Sequence, residues 1–528
     1  MFRQSMTWLH TWSGIVVTWL LYFMFVTGTI GYFDDELDLW MTPERTASPP
    51  LALADAVPVA ESYLHEVGDG ANRWFIYPTI QRSSPQLSTF REMPAVDGGD
   101  PVRKRKELDV KTGEPITDAR KTGGGQVLYR MHYLLHYFPG RIGFYIMAIV
   151  TMFMFVGLTT GVVAHKKIFK DFFTFRWAKG RRSWLDLHNI ASVSSLPFQL
   201  MITYSGLLFT LGLLWMPFVA LGGYGFDIQR IVKLPAEFTA EDSVERSGES
   251  RALVPLLPLA EQAEAAWGPQ QIAFIRVDYP GDANARVIVQ QRSTGRFSSD
   301  AMTFDGVSGA LLGTTATGVP NAALEFAGLM FALHEGGFAE PLLRWIYFIS
   351  GLIGTAMIAT GAVYWVEKRR PKDPSDPGSR GYRFVERANV ATLAGLLTAV
   401  AVYLLANRLL PVGLADRAAW EVHCMFLAWL ATFVHAFTRP VVRAWVEQFW
   451  IVAAAFFAVP VVNVLTTDVH LLNTLRDGNW TLASVDLVLL STGIAAVFAA
   501  RAMMPAKERG DSDAVAPALA AHPGASGG

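Results

Sequence analysis

The chain has a single cysteine, Cys424, among 528 residues. That excludes intrachain disulfides, thiolate-held iron–sulfur clusters and any C-x-x-C-H cofactor attachment. No G-x-G-x-x-G follows a strand-like run, so no flavin or nicotinamide domain is fused to it. H-E-x-x-H does not occur, and G-x-S-x-G occurs only as Gly524-Ala-Ser-Gly-Gly528 in the C-terminal tail, not between a strand and a helix, which argues against a membrane peptidase. The net charge of −1 gives no pointer to nucleic acid, and none is expected as a partner.

Apolar residues are abundant, at 51%. Runs long enough to cross a bilayer lie near residues 8–33, 139–164, 189–221, 342–366, 388–411, 419–438, 446–466 and 484–504, which makes eight spans. Met1 to Tyr32 resembles a secretory signal only superficially: the apolar stretch is too long and a small-residue cleavage site is missing. It reads as an uncleaved first span. The short segments 166–183 and 368–387 are rich in Lys and Arg, and the positive-inside rule puts both, with both termini, in the cytoplasm.

The expected order is a first span unit at 1–33, an outer module at 34–125, a second span unit at 126–165 and the cytoplasmic loop 166–183. A third span unit at 184–222, a second outer module at 223–322, a fourth span unit at 323–367 and the loop 368–387 repeat that order. An additional four-span region at 388–504 and a disordered cytoplasmic tail at 505–528 complete it. The outer modules read as copies, each one small α+β domain. Pro58-Val-Ala-Glu61 and Pro258-Leu-Ala-Glu261 each open an amphipathic helix, with Pro suited to a first turn. Strand-like runs follow at Trp74–Thr79 and Leu87–Glu92, and at Ile272–Tyr279 and Ala285–Gln291. Asp109-x-x-x-Gly113 and Asp305-x-x-x-Gly309 close each copy on one kind of turn. Gly123-Gly124-Gly125 reads as a hinge into the second span. A unit of span, module and span thus occurs twice within residues 1–370, related by a pseudo-twofold axis along the membrane normal.

The repeat turns histidines into groups. His10, His188 and His165 fall at the cytoplasmic ends of spans; His132, His136 and His334 fall at the outer face. Imidazoles from several membrane helices at two levels are what a bundle needs to hold two haems, each between neutral nitrogens approaching iron from opposite sides. With one cysteine, such haem is of the b type. Within the outer group, His132 and His136 are four apart, hence on one helical face, and either can ligate opposite His334. An ideal helix places His136 and His165 on nearly the same face, so the second span can serve both levels. Arg141 and Arg344 are propionate partners or snorkelling residues. Thr27-Gly28, Thr160-Gly161, Ser205-Gly206 and Thr360-Gly361 read as helix-packing positions. Asp186, two residues before His188, is placed to orient an imidazole. His423 and His435 read as structural.

The chain resembles the PepSY-associated transmembrane family, iron-regulated inner-membrane proteins that include siderophore-iron reductases. The likeness covers about residues 5–370. It rests on Leu9-His10-x-Trp12-x-Gly14, the two Asp-to-Gly turns, Leu333-His334-Glu-Gly336, and the run His165-Lys-Lys-Ile-Phe-Lys-Asp-Phe-Phe-Thr-Phe-Arg176 continued by Leu185-Asp186-Leu-His188-Asn189 and Leu196-Pro197-Phe198. It implies two periplasmic PepSY modules over a four-helix haem-binding core and, for the reductase members, electron transfer through b haems to ferric siderophore.

The fold class expected is a polytopic all-α membrane protein of about eight transmembrane helices with two small periplasmic α+β modules, in a bacterial inner membrane. The expected activity is an oxidoreductase with two b haems. A quinol or a separate reductase would donate electrons to the pair at His10 and His188, and ferric siderophore would accept them beyond His334 and His132 or His136. Trp74, Tyr77, Phe274 and Tyr279 are candidates to line the chelate site. The rival expectations are a non-enzymatic PepSY regulator, or a transporter of siderophore or iron.

Overall fold

The computed structural model describes residues 1–45, 51–78, 87–94, 102–116, 119–139, 142–165, 172, 174–176, 180–224, 245–292, 300–315, 322–339, 341–371 and 379–504. It divides into two compact units, one built from 1–120, 124–177 and 186–358, the other from 121–123, 178–185 and 359–528.

In the first unit the membrane helices are α1 (Phe2–Gly31), α5 (Ile142–Ala164), α6 (Arg181–Ser194) running into α7 (Leu196–Tyr224), and α10 (Pro341–Lys368), which crosses into the second unit. Short helices precede them: α2 (Asp34–Met41) follows α1, α4 (Gly124–Met131) leads toward α5, and α9 (Ala322–Glu335) leads toward α10. Three of these, α1, α5 and α10, are long and apolar enough to cross a membrane, as are four helices of the second unit, making seven among the described residues. Helix α7 is 29 residues long, and its apolar stretch is described from Leu196 to Thr210. About 20 residues span a bilayer core at 1.5 Å per residue.

The two α+β segments do not form separate domains. Their strands β1 (Arg73–Tyr77), β2 (Leu87–Met93), β3 (Val102–Leu108), β4 (Ile272–Asp278), β5 (Arg286–Gln291), β6 (Ala301–Asp305) and β7 (Leu311–Thr315) make one sheet in the order β3-β2-β1-β4-β5-β6-β7. The seam is the antiparallel pair β1–β4, in register from Arg73 opposite Asp278 to Ile76 opposite Ile275. Each copy would leave its first strand as an unpaired edge, and pairing the two edges removes both. Glu92, Arg73, Asp278, Arg286 and Asp305 stand in one cross-strand row of alternating charge, with Arg73 3.1 Å from Asp278 across the seam.

Helices α3 (Leu53–Val67) and α8 (Leu256–Trp267) pack side by side on one face of this sheet. Leu53, Val57, Ala60 and Leu64 recur at helical spacing, as do Leu256, Leu259, Ala260 and Ala263; alternate residues Trp74, Ile76, Ile275, Val277, Val287 and Val289 meet them in a single core. Glu61 of α3 accepts the first backbone N–H of α8 at Leu256, 3.2 Å away, which ties the copies again. Helix α3 begins five residues before Pro58, so that proline lies inside the helix and not in its first turn. The two Asp-to-Gly turns are alike: Asp109 accepts N–H bonds from Lys111 and Thr112, Asp305 from Val307 and Ser308, and Gly113 and Gly309 both take φ of 75°.

The second unit is a bundle of α11 (Arg380–Leu393) with α12 (Gly395–Leu409), α13 (Arg417–Thr438), α14 (Val441–Thr466) and α16 (Trp480–Met503), with the short α15 (Leu471–Arg476) between the last two. His435 has both ring nitrogens engaged, by Glu447 at 2.8 Å and Gln448 at 3.3 Å, and His423 packs edge-on to Trp420.

Candidate bis-imidazole centres

Four histidines meet in two pairs. His10 on α1 faces His188 on α6 with ring centres 6.3 Å apart, and His132, the residue after α4, faces His334 in the last turn of α9 at 6.0 Å. A metal–nitrogen bond is about 2 Å and an imidazole centre lies about 1.2 Å from its nitrogen, so two imidazoles on opposite sides of one iron bring their centres to about 6.3 Å. Both pairs match that spacing.

The other nitrogen of each ring fixes its orientation. His10 Nδ1 donates to Gly157 O at 2.8 Å, His188 Nδ1 to Met357 O at 2.8 Å and His132 Nδ1 to Met24 O at 2.9 Å. A carbonyl only accepts, so each Nδ1 carries the proton and each Nε2 keeps its lone pair for a metal. His334 Nδ1 lies 2.9 Å from Ser205 Oγ, whose own proton goes to Met201 O at 2.7 Å, so the hydroxyl oxygen accepts here too. Every histidine is held by the other membrane helix of its own repeat and paired with a histidine of the other repeat. Neither copy makes a site alone.

The small-residue pairs serve these rings. A β-carbon on Gly28 would overlap the His132 ring, one on Gly161 would stand 3.1 Å from His10 Cε1, and one on Gly206 3.2 Å from His334 Cε1. Gly28 and Gly161 each come one turn after the carbonyl that orients the ring, at Met24 and Gly157, while Gly206 follows directly on Ser205, whose hydroxyl holds His334. Thr27 and Thr160 bond back to the carbonyls at Met24 and Gly157, so the same oxygens are shared with the imidazoles. Packing against another helix, the reading the sequence favours, misses this. The signal is the Thr/Ser-Gly recurrence, and the pair on α1 serves His132.

Around the His132–His334 pair opens a cavity of about 480 Å³, within the usual range of cofactor sites. Phe198, Phe209 and Phe331 line its apolar part; Asp34, Asp35, Gln126 and Glu335 line its polar part. Tyr129 donates to Glu335 at 2.8 Å, linking the repeats at its wall. Among the described residues no group of three or more His, Cys, Asp or Glu side chains is placed to hold a bare metal ion. The His132–His334 pair, with both Nδ1 atoms already hydrogen-bonded and a cavity beside it, suits instead a metal held in a macrocycle. The donor set and the glycine cradles fit b haem.

A family model described as the PepSY-associated TM region matches residues 7–368. The chain belongs to that family. It is also 26% identical over 329 residues to "Uncharacterized protein PA4219" of Pseudomonas aeruginosa, a match covering 57% of this chain and 77% of the relative. All four paired histidines of this PepSY-associated protein lie inside the matched region, whereas α11 to α16 lie beyond it.

Other expected site residues fall elsewhere. Helix α4 stops at Met131, so His132 and His136 do not share a helical face; His136 is exposed against Tyr137 and does not line the cavity. His165 is the exception: it follows the last turn of α5, four residues past Gly161, and lies within electrostatic reach of His188, beside the first pair but not in it. Arg344 donates to Glu36 at 2.5 Å and lies over Phe33, away from the cavity wall. Arg141 lies outside the described residues. Asp186 holds Arg176 through its backbone N–H and guanidinium, at 2.6–3.0 Å, rather than an imidazole. Trp74 is core, donating to Gly68 O, while Tyr77 and Phe274 contact each other at 5.9 Å on the opposite face of the sheet.

Proposed function

We propose that this membrane protein is a dihaem oxidoreductase that passes single electrons across the bacterial inner membrane to ferric siderophore in the periplasm. The observation that carries the reading is the pairing of four pre-oriented imidazoles, two by two, at the spacing an intervening iron requires. Bound between them, haem iron would supply one reversible Fe(III)/Fe(II) electron at each level.

His10 and His188 would hold the centre near the cytoplasmic side, fed by a quinol or a separate reductase. His132 and His334 would hold the second, toward the sheet. Met24 and His10 are 14 residues apart on α1, about 21 Å of helix rise, so the levels stand well apart within one bilayer. The carbonyls of Met24, Gly157 and Met357 and the Ser205 hydroxyl keep the imidazoles in one tautomer and set how strongly they donate to iron. The phenylalanines of the cavity exclude water, and its polar wall faces the acceptor. Iron leaves after reduction because the hard oxygen donors that suit Fe(III) hold Fe(II) less well. No side chain need act as a general acid or base.

The test is the absorption spectrum and redox titration of the detergent-purified protein, repeated with His10, His188, His132 and His334 each replaced by Ala. Two components are expected, one lost with either member of the first pair and one with either member of the second. A colourless protein, made with ample haem supply, would refute the reading in favour of a regulator.

A further inference from the structure

The bundle beyond residue 359 contains a polar cluster that electron transfer leaves unused. Asn407, Arg408, Arg417, Glu421, Asn463 and Asp486 are each at most 6% exposed. Buried charge among membrane helices is costly unless paired, and here two guanidiniums balance two carboxylates. Arg408 donates to Asn463 at 2.8 Å and to Asn407; Asn463 donates to Asp486 at 3.4 Å; Arg417 pairs with Glu421 at 2.5 Å and donates to Asn407 O. All six sit where α12 ends, α13 begins, α14 ends and α16 begins, at one end of the bundle. A cluster confined to one end carries neither protons nor ions across.

What it holds is a strap of three residues, Lys121 to Gly123. Arg417 donates to Lys121 O at 3.0 Å, the Thr122 hydroxyl donates to Glu421 Oε2 at 2.6 Å, and the Gly123 N–H donates to the same oxygen at 3.0 Å. Asn407 Nδ2 lies 3.1 Å from Thr122 Oγ1 and 2.9 Å from Glu421 Oε1. The glycine run read as a hinge is therefore fixed at successive positions: Gly125 N–H donates to Asp38 Oδ1 at 2.6 Å, and a β-carbon on Gly124 would overlap that carboxylate. Beyond the strap the chain passes directly into α4, eight residues long, and then His132.

We propose that Glu421 and Arg417 are positioning residues which, by gripping the Lys121–Gly123 strap, set the placement of His132 through the rigid α4 helix. The grip fixes the chain where it enters α4 and so tunes the His132–His334 centre. This rests on the haem reading for its electronic consequence, though not for the grip itself.

The test uses the full-length purified protein with Glu421→Gln, which keeps the shape and removes the charge. Thr122→Val, which deletes one donor and leaves the buried ion pair whole, serves if the first variant does not fold. Expected are amide exchange at least tenfold faster from Lys121 through Met131, with the Ile272–Asp278 strand unchanged, and an altered midpoint potential for the component that His132→Ala removes. At fixed poise the oxidised-to-reduced ratio of that component should change at least threefold, while the component that His10→Ala removes keeps its wild-type value. Unchanged exchange, unchanged potentials or equal shifts in both components would each overturn the proposal. A wild-type protein without a haem spectrum would instead overturn the proposed function and the tuning together, a result separable from two normal components with an insensitive His132–His334 centre.

Discussion

The His10 ring lies against Gly161, its Cε1 3.1 Å from where a β-carbon would stand, while its Nδ1 donates to Gly157 on the same helix one turn earlier. One turn of α5 thus supplies both the hydrogen-bond acceptor and the room for the ring. Gly161→Val should displace the imidazole and remove the His10–His188 component, leaving the other. Gly14→Ala is the matched control, because nothing lies within 4 Å of the carbon it adds. Visible spectra of the two variants check this; a Gly161→Val protein with both components intact would count against the cradle.

His132 and His136 separate by role. His132→Ala should abolish the component shared with His334, whereas His136→Ala should leave both, since its ring is exposed beside Tyr137. Redox difference spectra decide, and loss of haem in His136→Ala would reverse the assignment.

The seam between the copies should be held by its apolar residues. Ile275 is fully buried at the β1–β4 pair, and Ile275→Ala should cost about 2–5 kcal/mol. Arg73 is 42% exposed, so Arg73→Ala, which breaks the visible ion pair with Asp278, should cost only about 0.2–1 kcal/mol. Thermal unfolding of the two variants ranks them. A larger loss from Arg73→Ala would show that charge, not burial, joins the sheet.

Asp38 should make stability depend on pH. Burial pushes its carboxyl up, hydrogen bonds from the Gly125 and Gln126 N–H groups pull it down, and the balance leaves it raised to about 6. A raised carboxyl contributes stability that is complete below its unfolded value and fades as pH rises to about 6, an effect on the order of 3 kcal/mol. Melting temperatures from pH 4 to pH 7 should therefore fall more in wild type than in Asp38→Asn. Parallel curves would contradict this.

Much was legible in the sequence because it is local. Apolar runs gave α1, α5, α10 and the later spans; alternation gave β1, β2, β4 and β5; and Asp and Gly at fixed offsets gave the two turns, each property lying within a few residues. The internal repeat sorted His10 and His188 from His132, His136 and His334. Strand β3 is not legible because its run Val102–Leu108 is mostly Arg and Lys and lacks apolar alternation, although its partner β2 lies just before it in the chain. Tertiary structure alone decided that His132 is the residue that meets His334, since α4 ends at Met131, before either histidine, and the four-residue helical spacing never applies. It alone joined β1 to β4, some 200 residues apart. It gave the Thr-Gly pairs to imidazoles on other helices and turned the glycine run into a gripped strap. Each of these depends on which surfaces meet across long loops, and periodicity along one segment carries no information about its neighbour.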